Sequence, residues 1–181
     1  MRAISLFSGA GGFDLGISNA GIEILASIEI DEHCISTLKH NKQTNKSRII
    51  QSDIRSVEPT ELMQELEIVT SEINLLFGGP PCQDFSAIGP MKSLSGGNGS
   101  LFLEFFRFID VIKPQYVLIE NVKGLLIAKD KNGERGGVIK FIMSKLEKLG
   151  YKANYETFSA VDFGVPQKRQ RVFILACRND M

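Results

Sequence analysis

The chain has 181 residues, of which 43% are apolar, and its formal net charge is zero. This length suffices for one domain with a substantial core. Its apolar runs are shorter than the roughly 18 residues that a membrane helix needs, and the N-terminus lacks a signal-peptide pattern. We therefore expect a cytoplasmic protein.

The zero net charge hides an asymmetry along the chain. Residues 1–128 carry 10 Lys and Arg against 15 Asp and Glu, a balance of −5, whereas residues 129–181 carry 11 against 6, a balance of +5. A basic C-terminal third suits a polyanion as a partner, although a solvated charged face explains the same count.

Strand and helix patterns alternate in chain order, ending with two strands in succession. The strands are predicted at 3–8, 23–30, 48–54, 73–79, 115–122, 152–160 and 171–178, and the helices at 13–21, 31–41, 59–69, 100–113 and 137–150. Continuous apolar strands that alternate with helices predict an α/β fold, with a doubly wound and mainly parallel sheet of seven strands. Because only "VDFGVPQKRQ" separates the last two strands, we expect them to form an antiparallel pair at one edge.

The three cysteines are Cys34, Cys82 and Cys177. Their odd number and wide spacing argue against a disulfide framework and against a zinc site, so we expect no bound metal. Cys34 and Cys177 fall in patterned apolar segments and are predicted to be core residues. Cys82 differs because it lies in a loop.

A glycine-rich turn, "LFSGAGGFDLG", follows the first predicted strand. Gly9, Gly11 and Gly12 allow a ligand to approach backbone N–H groups closely, although many such turns only pack a helix on a strand. Glu29 and Asp53 end the next two strands, and these strand ends meet at one edge of a doubly wound sheet. Glu29 can accept hydrogen bonds from ribose hydroxyls, and Asp53 can accept one from an adenine amino group. Together with the glycines, the two acids favour an adenosine-bearing cofactor. Each acid alone could instead be a helix N-cap.

The loop "GGPPC" follows the fourth strand and ends at Cys82. The two glycines permit a sharp exit from the strand, and the two prolines restrict the backbone so that the thiol is held in place. An ionised cysteine is a strong nucleophile, so the position predicts nucleophilic catalysis beside the cofactor, against the alternative of a loop cysteine without a role.

Two further motifs carry charged side chains. "LIENV" places Glu120 and Asn121 at the end of the fifth strand, where a half-desolvated carboxylate can share a proton or serve as a structural cap. "FGVPQKRQR" leads into the last strand and carries Lys168, Arg169 and Arg171. These side chains suit phosphate or carbonyl recognition, or form a solvated basic loop.

The chain resembles the catalytic half of the cytosine-C5 DNA methyltransferases in six ordered blocks: "FSGAGGFDLG", "SIEID", "SDI", "GGPPCQDFS", "ENV" and "QKRQR". The match covers residues 4 to 178, and "PPCQ" followed by "ENV" is its most specific part. The resemblance implies a Rossmann-like methyltransferase fold in which residues 1–181 form one S-adenosylmethionine-dependent catalytic domain. The family continues with a target-recognition domain and final motif blocks that these residues lack, so a second polypeptide or a missing C-terminal region is expected as a partner.

The resemblance also implies a reaction and its residues. A methyl group would pass from S-adenosyl-L-methionine to C5 of a cytosine flipped out of double-stranded DNA, leaving S-adenosyl-L-homocysteine. The catalytic residues would be Cys82, Glu120, Arg171 and Arg169. Cys82 would attack C6, and Glu120 would hold N3 and the exocyclic amine. Arg171 and Arg169 would contact the base carbonyl or a nearby phosphate. The cofactor would be held by Phe7, Ser8, Gly9, Ala10, Gly11, Gly12, Glu29, Ile30, Asp53, Ile54, Pro81 and Leu101. The Gly- and Ser-rich segment 92–100 is predicted to be mobile and to belong to a loop that closes over the DNA.

Other functions fit the same residues. The same chemistry on a tRNA cytosine and a non-catalytic cofactor-binding subunit both remain open, and a dinucleotide-dependent dehydrogenase is a more distant alternative. For the methyltransferase we expect a role in restriction and modification, association with the nucleoid when DNA is bound, and no membrane partner.

Overall fold

The computed structural model describes residues 1–41, 47–81, 99–130 and 132–180, with Gly99 and Ser100 described by their backbone alone. In these residues the strands are β1 (Arg2–Leu6), β2 (Glu23–Glu29), β3 (Arg48–Gln51), β4 (Leu75–Gly78), β5 (Tyr116–Val122), β6 (Tyr151–Ser159) and β7 (Gln170–Arg178). The helices are α1 (Gly12–Asn19), α2 (Glu32–His40), α3 (Pro59–Glu65), α4 (Gly99–Ile112) and α5 (Gly137–Lys148). The predicted alternation of strands and helices is confirmed.

The seven strands form one sheet in the order β3-β2-β1-β4-β5-β7-β6. Strands β1 to β5 run parallel to one another, whereas β7 is antiparallel to both β5 and β6. This confirms the doubly wound sheet and the antiparallel pair at its edge. The strand order reverses between β1 and β4, and ligands of such sheets bind at the carboxyl ends of the strands around this point.

The two faces of the sheet are covered differently. One face carries the larger core, in which buried side chains of α3, α4 and α5 pack on the strands, with Phe102, Phe105 and Phe108 of α4 fully buried. The other face has a small core around Phe77, where Ile17 of α1 packs against β1, β2 and β4. Phe13 of α1 contacts Phe173 of β7 on this face, whereas the Leu175 side chain of β7 is 53% exposed.

Several sequence-based boundaries and burial predictions are wrong in detail. Strand β3 ends at Gln51, not at residue 54, because Asp53 accepts from the Arg55 amide and caps a short 3-10 helix at Ile54–Ser56. Cys34 and Cys177 are only half-buried. Cys34 lies in the first turn of α2, and Cys177 lies near the end of β7.

Two predictions fall on residues outside this description: Cys82, and segment 92–98 of the predicted mobile loop. Among the described residues, no helix is long and apolar enough to span a membrane. Within the same ranges, the side chains contain no group of three or more His, Cys, Asp or Glu that could hold a metal ion.

Gly78 ends β4 at a point where the sheet leaves no room for a side chain. It pairs with Leu6 of β1 on one side and with Ile119 of β5 on the other. A Cβ atom at this position would overlap the carbonyl oxygen of Leu6 and press on the Phe105 ring. The residue that leads into the Pro-Pro loop is therefore fixed as glycine by the close approach of two backbones.

We predict that Gly78→Ala lowers the free energy of unfolding by at least about 3 kcal/mol, because a backbone oxygen cannot move aside without disrupting the ladder. Urea denaturation of both proteins measures the difference. Gly16→Ala is the matched control, since a Cβ there meets no atom within 4 Å and alanine favours a helix by up to about 1 kcal/mol. Similar stability of the two variants would contradict the prediction.

Candidate active site

The ends of β4 and β5 bring two of the sequence motifs together. Gly78 pairs with Ile119, so Gly79, the residue after β4, lies beside Glu120 of β5. The Glu120 carboxylate lies so close to Gly79 that a Cβ at this glycine would be 3.1 Å from Oε2. Glu120 and Asn121 lie at the end of β5, just before its last residue, Val122, as predicted.

Strand β7 places two arginines on the Glu120 carboxylate. Arg169 donates from Nη2 to Oε1 at 3.2 Å, and Arg171 Nε lies 3.2 Å from the same oxygen. The antiparallel register sets Arg171 opposite Val122 and Phe173 opposite Glu120. Because these side chains are partly exposed, the ion pairs contribute little stability. The two arginines carry two positive charges against the single negative charge of Glu120. The remaining positive charge suits a ligand that has an electron-rich oxygen next to a hydrogen-bond donor.

Asn121 is a positioning residue whose role was not predicted from the sequence. Its side chain is 5% exposed, donates from Nδ2 to the carbonyl oxygen of Pro80 at 2.9 Å, and accepts at Oδ1 from the Val122 amide. It therefore ties the end of β5 to the Pro-Pro loop. The signal was present in the alternation of β5, because residues 117, 119 and 121 share the covered face and a polar residue there needs partners.

The glycine-rich turn is tied to β2. The Ser8 amide donates to the Ile28 carbonyl oxygen at 3.1 Å, and the Gly9 amide donates to Glu29 Oε2 at 2.8 Å. Phe7 has a φ angle of +56°, a strained conformation for a side-chain-bearing residue, and its ring stacks on Phe105 of α4 at 6.5 Å between centroids. The turn is thus held from both sides before α1 begins.

Glu29 is more occupied than a free ribose acceptor would be. Its carboxylate accepts from the amides of Gly9, Ile30 and Asp31. A carboxylate offers about four lone-pair sites, so about one is left for a ligand hydroxyl. Ile30 is 60% exposed at the end of the same strand, where an adenine ring could lie against it.

The residues predicted at the adenine edge are arranged less favourably. Arg55 holds the Asp53 carboxylate through its Nε and lowers the pKa of that carboxyl by hydrogen bonding. The Ile54 side chain is 4% exposed and belongs to the core, so it offers a ligand little surface. The alternative of an N-cap is the one that the geometry gives Asp53.

A cavity of about 1220 Å³ opens beside these elements. Seven of the predicted site residues line it: Phe7, Ser8, Gly9, Gly12, Glu120, Arg169 and Arg171. Gly79 lies among them. Ala10 and Gly11 line a smaller cavity of about 180 Å³ on the other side of the turn. The other described candidates, namely Glu29, Ile30, Asp53, Ile54, Pro81 and Leu101, are not part of either lining.

Part of the remaining lining of the large cavity is an apolar wall, which we define as Phe13, Phe158, Phe163, Phe173 and Leu175. Its rings are in edge-to-face or tilted contact, with centroids 5.8 Å apart for Phe13–Phe173 and Phe158–Phe173 and 5.7 Å for Phe158–Phe163. Phe163 is 68% exposed. The cavity therefore joins a polar end, suited to chemistry, to an apolar surface of the kind that proteins usually cover.

Comparison with known proteins decides the family. A family model described as C-5 cytosine-specific DNA methylase matches residues 1–181. The chain belongs to this family. It is 36% identical over 181 residues to the Type II methyltransferase M.FnuDI of Fusobacterium nucleatum, covering 100% of this chain and 48% of that protein. It is also 36% identical to M.AquIA of a Picosynechococcus strain, covering 98% of this chain and 72% of that protein.

Solved structures give the same fold. A candidate DNA modification methyltransferase encoded within an E. coli prophage matches with a TM-score of 0.80 at 27% identity, covering 99% of this chain and 47% of that chain. The S. pombe Dnmt2 methyltransferase matches with a TM-score of 0.72 at 25% identity, covering 99% and 51%. This cytosine-C5 methylase chain thus spans about half the length of M.FnuDI and of these two solved chains.

We predict that Asn121→Asp costs about 3 kcal/mol of folding stability, because the variant cannot donate to Pro80 and leaves a buried acceptor facing another acceptor. Chemical denaturation at neutral pH measures the loss. Asn154→Asp on β6 is the control, since this side chain is exposed and the change should stay within about 0.5 kcal/mol. If both variants are as stable as the parent, the hydrogen bond from Asn121 to Pro80 does not contribute to folding stability.

Proposed function

We propose that this chain carries the catalytic and cofactor-binding parts of a methyltransferase that modifies C5 of cytosine in DNA with S-adenosylmethionine. The observation that carries the proposal is the convergence of Glu120, Arg169 and Arg171 beside the end of β4, in the cavity that the glycine-rich turn also lines. The family's description as a DNA methylase favours DNA over tRNA as the substrate.

The residues at the carboxyl ends of the strands fit the proposed cofactor. Gly9 and Gly12 line the cavity without side chains, and a Cβ at either would meet nothing within 4 Å, so the turn has open space beside it. Backbone N–H groups at the start of α1 suit the carboxylate of the methionine part. Glu29 has a lone pair left for a ribose hydroxyl. When bound, S-adenosylmethionine would supply an electrophilic methyl group to this end of the cavity.

The proposed reaction divides the work among four side chains. The Cys82 thiolate adds to C6 of a flipped cytosine, and the electron pair of the C5–C6 bond moves towards C5 and N3. Glu120 holds N3 and the exocyclic amine, which stabilises the negative charge that develops on the ring. Arg171 and Arg169 contact the base carbonyl or a nearby phosphate. C5 then takes the methyl group, a base removes the C5 proton, and the returning electron pair expels the Cys82 thiolate.

We further propose that residues 1–181 form one domain and that the target-recognition region comes from a second polypeptide or from a C-terminal region. The chain spans 48% of M.FnuDI but 72% of M.AquIA, so a protein not much longer than this one occurs among its relatives. The exposed apolar wall beside the site supports a contact surface for that region. Such a contact would complete the cavity next to the cofactor.

We predict that the chain binds S-adenosylhomocysteine and not NAD in a calorimetric titration, and that it transfers labelled methyl from S-adenosylmethionine to duplex DNA once the C-terminal part of a relative is supplied. The same assay with tRNA tests the alternative substrate. Methyl transfer to tRNA alone would overturn the DNA assignment. Binding without transfer to either nucleic acid would favour a non-catalytic subunit.

We predict that duplex DNA containing 5-fluorocytosine becomes covalently attached to Cys82 in the reconstituted enzyme, because fluorine at C5 prevents the final elimination. Denaturing electrophoresis and mass spectrometry of the adduct identify the residue. Cys82→Ser should form no adduct, whereas Cys34→Ser, which changes a half-buried cysteine of α2, should form as much as the parent. An adduct with the Cys82→Ser protein would rule out the proposed nucleophile.

A further inference from the structure

Asp14 is a buried carboxylate that the proposed reaction does not use. It lies in the first turn of α1, its exposure is 2%, and it points at the sheet. Oδ1 accepts from the Ser5 hydroxyl of β1 at 2.6 Å, and Oδ2 accepts from the Ser27 hydroxyl of β2 at 2.7 Å. Burial raises the pKa of Asp14, and the hydrogen bonds from the two serines oppose that rise.

An ionised Asp14 sets the direction of these hydrogen bonds, because a carboxylate in that state can only accept. Both O–O separations agree with a hydroxyl donating to such a carboxylate. Ser5 and Ser27 have one proton each, and both protons are used on Asp14. Their oxygens must therefore act as acceptors towards their other neighbours.

The same reasoning extends outward to Ser8, which belongs to the glycine-rich turn. The Ser8 hydroxyl lies 2.9 Å from the Ser5 oxygen, to which it donates. The Ile28 carbonyl oxygen, at 3.4 Å, is a second acceptor on the same inner side. On the other branch, the Ser47 hydroxyl lies 2.8 Å from Ser27 and donates to it. Each hydroxyl proton in the network thus points towards Asp14.

We propose that Asp14 is a positioning residue that makes the Ser8 hydroxyl an acceptor for the α-ammonium group of S-adenosylmethionine. Asp14 acts through Ser5, which holds the Ser8 proton inward. Ser8 is 7% exposed and is among the residues that line the large cavity beside Gly9 and Gly12. An ammonium group only donates hydrogen bonds, so an oxygen whose proton is turned away matches it. This inference rests on the proposed cofactor.

Two serines provide a matched pair of variants. Ser5 and Ser27 lie on neighbouring strands, are 1% and 0% exposed, and each donates one hydrogen bond to the same carboxylate. Ser5→Ala cuts the path from Asp14 to Ser8 and leaves the Ser8 proton with only the longer contact to the Ile28 carbonyl oxygen on the inner side. Ser27→Ala removes an equivalent hydrogen bond but leaves the path from Asp14 through Ser5 to Ser8 intact.

Calorimetric titration with S-adenosylhomocysteine tests the proposal. We expect Ser5→Ala to weaken binding about tenfold or more, the value of a hydrogen bond to a charged group, and Ser27→Ala to weaken it less than about threefold. The parent should prefer S-adenosylhomocysteine to the analogue in which hydrogen replaces the α-amino group, and Ser5→Ala should lose that preference. Equal losses in the two variants, or an unchanged preference in Ser5→Ala, would overturn the proposal.

A second measurement does not require the cofactor. Amide hydrogen exchange of residues 8–12 in the free chain should accelerate in Ser5→Ala and stay close to the parent in Ser27→Ala. If the parent binds no S-adenosylhomocysteine, the proposed cofactor fails, and equal exchange in the two variants would separately refute the positioning role. Ser5→Cys and Ser27→Cys, which keep the side-chain volume, replace the alanine variants if either of those does not fold.

Discussion

The site depends on how closely three parallel strands approach one another at their carboxyl ends. Gly78 has backbone neighbours on both sides, Leu6 in β1 and Ile119 in β5. Because a side chain cannot be accommodated there, the loop after β4 leaves the sheet at a fixed point between the glycine-rich turn and Glu120. The three motifs are more than 100 residues apart at their extremes in sequence, yet this one contact brings them together.

The insertion of β7 between β5 and β6 adds the second constraint. An antiparallel neighbour runs back past the end of β5, so the residues just before and at its start arrive beside Glu120. Arg169 and Arg171 reach the carboxylate for this reason, and with a parallel strand in the same place the start of the strand would lie at the opposite end of the sheet. The antiparallel strand β7 is therefore the element that brings positive charge to the site.

The sequence predicted the order of the elements and the antiparallel pair of strands, and it predicted that Glu29, Cys82 and Glu120 lie at one edge because the carboxyl ends of parallel strands meet there. The contact of Glu120 with Arg169 and Arg171 was not predicted from the sequence. The sequence could not predict which groups form hydrogen bonds with which acidic side chains. Glu29 gives most of its lone pairs to backbone amides, and Asp53 is held by Arg55. These hydrogen bonds join residues one to twenty positions apart and depend on side-chain geometry, which the spacing of motifs does not encode. The role of Asn121 could have been predicted, because a polar side chain on the covered face of β5 requires a hydrogen-bond partner.

The cavity combines two surfaces with different physical needs. Its polar end is built from charged groups that are already paired, so any ligand that binds Glu120 must compete with the arginines. Its apolar wall is only partly covered by contacts among its own side chains, since Phe163 and Leu175 are 68% and 53% exposed. Burying these two side chains would gain roughly 1 to 2 kcal/mol each at about 25 cal/mol per Å². A covering segment would also exclude water from the polar end, which strengthens every charge interaction there. Association with a further region and the efficiency of the chemistry are thus physically linked in this fold.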